Sequence, residues 1–252
     1  MPTLLRAMRA TAAGRPGIWR VAAVLLLVEI VVAFVVRMHE AAPGGLAAGW
    51  LIKPVHAVLS IWTMIAFYRA ILAPQRSPWQ PDKATVLFSG GAAIELALAV
   101  ATIWMARLWT AALLDAADAG PRTTANVGAA AFTLVALAVT IGFLRTQPWL
   151  AALAVGRRDM NVQRSWAETA GRGATIVVSW LLLLAPLVIA YALVELRASH
   201  PKASGNAAIE ALLVAVRAAL VTTIALVSTL HSSTVLKLID GQNLSDKQTS
   251  RA

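Results

Sequence analysis

Three ionisable residues, Glu29, Glu95 and Arg217, each stand deep inside a long apolar run. At ~1.5 Å of helical rise per residue, Glu29 and Glu95 lie about 16 Å from the start of their runs and Arg217 about 15 Å. All three therefore reach one depth. A lone charge at that depth costs roughly 2.5–3.5 kcal/mol on insertion scales, so the groups should face inward and pair, Arg217 with one or both carboxylates. Such a cluster could relay protons or hold a small solute. An internal ion pair that fixes helix register explains the same residues without any transport, and the Gly/Pro-broken helix pair typical of transporter sites is missing.

His56 and His231 invite a second chemistry, axial ligation of a b-type haem by one imidazole from each of two helices. Depth argues against it. His56 lies about 9 Å below one surface, whereas His231 lies about 36 Å from the same side along its own helix. Hydrogen bonds near opposite membrane faces suit them better. The chain has no cysteine, which excludes disulfides, thiolate metal sites and cysteine nucleophiles. There is no phosphate loop, nucleophile elbow, metal-ligand pair at helical spacing or paired acidic motif of a lipid transferase. No catalytic residue, metal or cofactor is expected.

The elements that must position these residues follow from composition. Of 252 residues, 59% are hydrophobic and 13% charged, against about 45–50% and about 25% in soluble domains. The apolar residues form blocks of about 20, the length that crosses ~30 Å of hydrocarbon as helix. Ala and Leu dominate them, and no in-out alternation of a barrel strand repeats. The expected fold is an all-α, polytopic transmembrane bundle of six spans, at 18–36, 50–72, 84–104, 125–144, 173–194 and 207–230. A basic segment (1–17) precedes the membrane domain (18–238) and a polar tail (239–252) follows it. Turn signals separate the spans: Pro43-Gly44-Gly45, Pro74 through Pro81, Gly120-Pro121, Pro148 with Gly156, and Pro201 through Gly205. Ser89-Gly90-Gly91 should allow close helix packing, and Pro186 should kink its span.

Orientation follows from the basic residues. Fifteen Lys and Arg, from Arg6 to Arg251, fall in segments on one side and six on the other, with Arg217 inside a span. Short basic segments stay in the cytoplasm, which places both termini there. The basic N-terminus resembles a signal peptide, but Glu29 interrupts its apolar run and an uncleaved first span is expected. Trp19, Trp50, Trp79, Trp109 and Trp149 stand at span ends, as belt residues do. The segment 146–172 carries Arg157, Arg158, Arg164 and Arg172 around Met160, Val162 and Trp166, which suits a short helix on anionic lipid or a plain basic loop. Even-numbered spans close on Tyr68-Arg69, Leu144-Arg145 and Leu236-Lys237, which would also fit a threefold hairpin repeat.

Ala66-Phe67-Tyr68-Arg69-Ala70-Ile71-Leu72 resembles the exit of the second helix in a group of uncharacterised bacterial six-helix membrane proteins. That group is related to the membrane domain of glycerophosphodiester phosphodiesterases. The run Pro148 to Arg157, followed by Ser165-Trp166-Ala167-Glu168-Thr169-Ala170-Gly171, is similar to its signature between helices four and five. Thr146-Gln147-Pro148 departs from the apolar approach of that group, as does the polar tail. The resemblance implies six helices in a bacterial inner membrane and no catalytic residues.

Together these features point to a non-enzymatic inner-membrane protein acting through helix or lipid contacts, as a subunit, assembly or envelope-maintenance factor. Its partners would be the bilayer and either another membrane protein or a second copy, not nucleic acid. The alternative is a small-solute or proton-coupled transporter using Glu29, Glu95 and Arg217.

Overall fold

The computed structural model describes residues 2–40, 46–116, 121–198 and 207–249, and every regular element among them is a helix. In chain order these are α1 (Pro2–Ala13), α2 (Pro16–Glu40), α3 (Leu46–Leu72), α4 (Lys83–Ala116), α5 (Pro121–Ala154), α6 (Val162–Ala170), α7 (Gly173–Ala198) and α8 (Ala207–Thr249). All except α1 and α6 are long and apolar enough to cross a bilayer, six among the described residues. The expected turns at Pro43-Gly44-Gly45, Gly120 and Pro201 through Gly205 lie outside the described residues, as does the side chain of Trp50.

The helices overrun the expected spans, and the clearest difference is at Pro148. Instead of turning there, α5 continues through the proline to Ala154. Proline lacks an N–H and loosens the helical turn behind it. The carbonyl left without its helical donor is that of Leu144, and in the same turn the Ser165 hydroxyl donates to the Arg145 carbonyl at 2.5 Å. The true stop is Gly156, whose φ of +78° lies where only glycine is unstrained. Gly156 and Arg157 donate their N–H groups back to the carbonyls of Leu153 and Ala152 at 3.0 and 2.9 Å, which closes α5 as a Schellman motif. At the start of α4, Thr85 N–H donates to Asp82 Oδ1 (2.9 Å) and Asp82 N–H to Thr85 Oγ1 (3.1 Å). This reciprocal cap satisfies two otherwise orphaned donors. α8 runs on past Leu230, well into the expected polar tail.

α2 packs along α3, α4 along α5 and α7 along α8, while α8 also touches α1, α2, α3 and α5. Buried side chains gather at one end of the bundle: the starts of α2, α4 and α7 and the ends of α3, α5 and α8. Ile18, Val21, Ile65, Phe67, Phe88, Leu144 and Leu236 are almost wholly enclosed there. Toward the other end Leu27, Val31, Phe34, Ile94, Trp104, Ile189, Leu193 and Leu212 are exposed. An apolar surface of that extent is unfavourable in water and natural against hydrocarbon. Of the tryptophans placed at span ends, Trp19 and Trp109 are exposed, whereas Trp79 and Trp149 are half-buried against the core.

Gly91 does allow a close approach: a Cβ there would stand 3.1–3.2 Å from Trp149, Leu150 and Leu153 of α5. Gly90 faces open space. The two short helices dock on the packed end. α1 buries Leu4 and Met8, with Leu4 beside Val235 and Ile239 of α8, and leaves Arg6 and Arg9 exposed. α6, capped by Asn161 Oδ1 accepting from Arg164 N–H at 2.8 Å, buries Ser165 and Thr169 rather than an apolar stripe. Met160 joins the core, while Val162 and Trp166 are exposed.

Candidate functional site

The three ionisable residues expected to meet do not. Glu29, buried on α2, takes His56 of α3 as its partner, Nε2 to Oε1 at 2.8 Å. Arg217 is exposed on α8 and points its guanidinium at Tyr191 of α7, 3.5 Å from the hydroxyl. Glu95 meets neither. The expected Glu29–Glu95–Arg217 cluster is corrected on these contacts, and the reason is geometric. Depth along a helix fixes one coordinate only, and α4 packs against α5 and α3, which keeps Glu95 from α2 and α8. His56 and His231 also take separate partners, so they do not share a site.

Because α4 follows α5 while α7 follows α8, a space opens between α4–α5 and α7. It encloses about 470 Å³, lined by Glu95, Leu98 and Thr102 of α4, Val139, Thr140, Gly142, Phe143 and Thr146 of α5, Trp166 of α6 and Trp180 of α7. Cavities of roughly 300–1,000 Å³ accommodate small ligands. Its walls are apolar apart from a few groups, and those groups are unusual. Both carboxylate oxygens of Glu95 are buried without a hydrogen-bond partner among the described residues, and so is Trp180 Nε1. Thr146 stands beside Glu95, but its hydroxyl proton goes to the Phe143 carbonyl at 2.9 Å. That of Thr102 goes to the Leu98 carbonyl at 2.7 Å. A carboxyl in such surroundings costs roughly 2.5–3.5 kcal/mol when it is ionised without a counter-charge.

No family model, curated protein or solved structure matches the chain. Its site must therefore be read from its own geometry.

Beneath the cavity, the packed end holds a network of polar groups whose mutual bonding the sequence pattern did not show. Arg69 is the largest fully buried side chain. Its Nε donates to the Ala154 carbonyl (3.0 Å), its Nη1 to the Gln80 carbonyl (2.5 Å), and its Nη2 to Asp82 Oδ1 (2.5 Å) and Thr85 Oγ1 (3.1 Å). One guanidinium thus joins the ends of α3 and α5 to the start of α4. Next to it, Gln147 Oε1 accepts from Tyr68 Oη (2.9 Å) and Ser232 Oγ (2.8 Å). Ser179 gives its proton to the Ile176 carbonyl (3.0 Å) and so accepts from His231 Nε2 (2.9 Å). Two signals could have found this network: Gln147 before the proline, and the hydroxyl run Ser232-Ser233-Thr234 in an apolar helix.

The five residues expected at a lipid interface occupy unequal positions. Arg157 grips two carboxylates at once, Asp159 at 2.6 and 3.0 Å and Asp240 of α8 at 2.6 and 3.0 Å. The Arg157 guanidinium holds the Asp159 carboxyl below its ordinary pKa, and Asp159 in turn pushes Arg157 up. Arg164 donates to the Asp159 carbonyl at 2.9 Å and lies 3.6 Å from Glu168. Arg172 is half-buried beside Thr169. Arg158 and Trp166 are exposed. Trp166 carries the guanidinium of Arg145 on its ring at 4.1 Å, and Arg145 also donates to the Trp166 carbonyl at 2.6 Å. The basic residues of the hairpin motifs differ as well: Arg69 is enclosed, Arg145 stacks and Lys237 is exposed.

Proposed function

We propose that this chain is a non-enzymatic integral membrane protein that takes an amphiphilic molecule from the surrounding bilayer into the cavity between α4, α5 and α7. One observation carries this reading: a ligand-sized, apolar-walled space whose floor holds a carboxylate with no partner among the described residues. The walls end in exposed apolar side chains such as Leu98 and Phe143, so a molecule dissolved in lipid could enter sideways. A rigid base supports the reading too, since Arg69 and Gln147 lock the helix ends on which the cavity stands.

On the charge pattern we place the protein in the bacterial inner membrane with both termini in the cytoplasm. That side would be the packed end, where α1, α6 and the second half of α8 come together. The transport alternative rested on Glu29, Glu95 and Arg217 acting jointly, and their separation takes that support away.

Native mass spectrometry of the detergent-purified protein tests the proposal, with Gly142→Leu as the comparison. Gly142 lines the cavity, and a Cβ there meets nothing within 4 Å. Leucine should therefore fill the space without disturbing the backbone. Amphiphile adducts on the wild type that vanish in Gly142→Leu, at equal thermal stability, are the expected result. Equal adducts on both proteins would refute it.

A further inference from the structure

We infer that the amphiphile bound in the α4–α5–α7 cavity carries a compact cationic, hydrogen-bond-donating head, a primary amine, with Glu95 as its counter-ion. This rests on the cavity reading above and adds the chemistry of the ligand. The lining contains no Lys, Arg or His. The nearest guanidinium in contact with a lining residue, that of Arg145, is turned to Trp166 and to the Thr169 hydroxyl. Among the described lining residues an ionised Glu95 thus meets no cation of the protein's own.

The polar atoms facing the space are nearly all acceptors. Glu95 offers two carboxylate oxygens. Thr102 and Thr146 have committed their protons to backbone carbonyls and keep lone pairs to offer. Among the described lining residues the donors that have no partner are the two indole N–H groups, that of Trp180, which is buried, and that of the exposed Trp166. An ammonium has three donors and no acceptor, and it is the complement of this set. A carboxylate or sulfate head would meet at most the two indole donors and be repelled by an ionised Glu95, and a neutral alcohol would bring it no counter-charge. The indole of Trp180 adds an aromatic face, which attracts cations. Leu98, Val139 and Phe143 provide an apolar wall for the ligand's chain.

The test uses the full-length protein in a non-ionic detergent, titrated with dodecylamine, dodecanol or laurate and read by native mass spectrometry. Dodecylamine should half-saturate at about a tenfold lower concentration than either of the others, the gain of one charge-assisted contact. Glu95→Gln should remove that advantage and leave dodecanol binding unchanged. Gly142→Leu should abolish all binding that saturates. If amine, alcohol and acid bind equally well and Gly142→Leu removes them all, the cavity reading stands and the amine assignment fails. If wild type and Gly142→Leu behave alike with every amphiphile, the cavity reading itself fails. Should Glu95→Gln not accumulate, the amine-to-alcohol ratio in the wild type decides alone: a ratio near one overturns the proposal.

Discussion

Replacing Arg69 with alanine should unfold the packed end of the bundle more than any other single change to a charged residue. The side chain is 1% exposed and makes four hydrogen bonds, to Ala154, Gln80, Asp82 and Thr85. Breaking a buried ion pair costs about 3–5 kcal/mol when the other charge stays enclosed. Here Asp82 is 39% exposed and water can take over part of its solvation, which lowers that share. In the other direction, the buried Ala154 carbonyl loses its side-chain donor, at about 1–3 kcal/mol, and a large side chain's volume is left unfilled. The two corrections roughly offset, leaving about 3–5 kcal/mol. At roughly 2–4 °C per kcal/mol for a chain of this size, Tm should fall by about 6–20 °C. Arg69→Lys should lose about half as much, because one ammonium cannot span acceptors on α5, the α3–α4 connection and α4 at once. Thermal unfolding followed by tryptophan fluorescence in detergent measures both, with the exposed Arg158→Ala as control. A Tm for Arg69→Ala within about 2 °C of the control would refute the hub.

Gly91→Leu should destabilise by about 1–3 kcal/mol through overpacking against Trp149 and Leu153, whereas Gly90→Ala, facing open space, should be neutral or stabilise by up to about 1 kcal/mol; paired melting curves decide. Gln147→Leu should cost about 1–3 kcal/mol by leaving the buried Tyr68 hydroxyl without its acceptor, while Ser232 keeps the Ser228 carbonyl, and Tyr68→Phe should restore part of it in a double-mutant cycle. Stability should also depend on acid pH. Burial pushes the Asp82 carboxyl up, but the Thr85 N–H and the Arg69 guanidinium outweigh it and hold its pKa below the ordinary value; Asp159 is lowered by Arg157. A carboxyl with a lower pKa folded than unfolded adds stability that is present above the unfolded value, about 3.9, and is lost as pH falls through the folded one. The share of stability these two carboxyls supply should therefore be constant from neutral pH to about 4 and fall below it, and the Asp82→Asn/Asp159→Asn double variant should show a smaller drop in Tm over that acid range.

Most of the architecture was legible because one physical quantity, apolar run length, decides it. Six blocks near the thickness of the hydrocarbon became six helices. Their ends were less legible, since a helix end depends on local chemistry. Pro148 reads as a stop, yet α5 passes through it to Ala154, giving up one helical hydrogen bond, that to the Leu144 carbonyl. Gly156 reads as part of the same break and turns out to be the stop, because its positive φ allows the closing hydrogen bonds. The candidate site was legible only in part. Glu29 and Glu95 were recognised as costly, but depth alone paired them with Arg217. His56, about 5 Å away in depth from Glu29 on the rise per residue, was within reach of a long carboxylate side chain and belonged to the adjoining helix. Arg69 looked like one more topological charge, and its enclosure among Ala154, Gln80, Asp82 and Thr85 is a matter of tertiary packing that no local pattern carries.

The position of Glu95 follows from how the bundle divides. Where α3 and α5 end against the second half of α8, hydrogen bonds donated by Arg69 and His231 and accepted by Gln147 tie the helices together, and small residues such as Ala151, Ala152 and Ala154 let them approach. Farther along, Thr102, Thr140 and Thr146 replace the interlocking apolar side chains on the faces of α4 and α5 turned toward α7. Two of these threonines spend their protons on their own helix, so they contribute no bond across the gap. Helices that neither interlock nor hydrogen-bond have little to hold them together in lipid, where the hydrophobic effect gives no drive to association. α4–α5 and α7 therefore part along this stretch, and Glu95 is left facing the opening. Restoring an interlocking face should close it: Thr102→Leu combined with Thr146→Leu should raise Tm and remove the saturable binding of dodecylamine together. A rise in Tm with dodecylamine binding intact would show that the parting of α4–α5 from α7 has another origin.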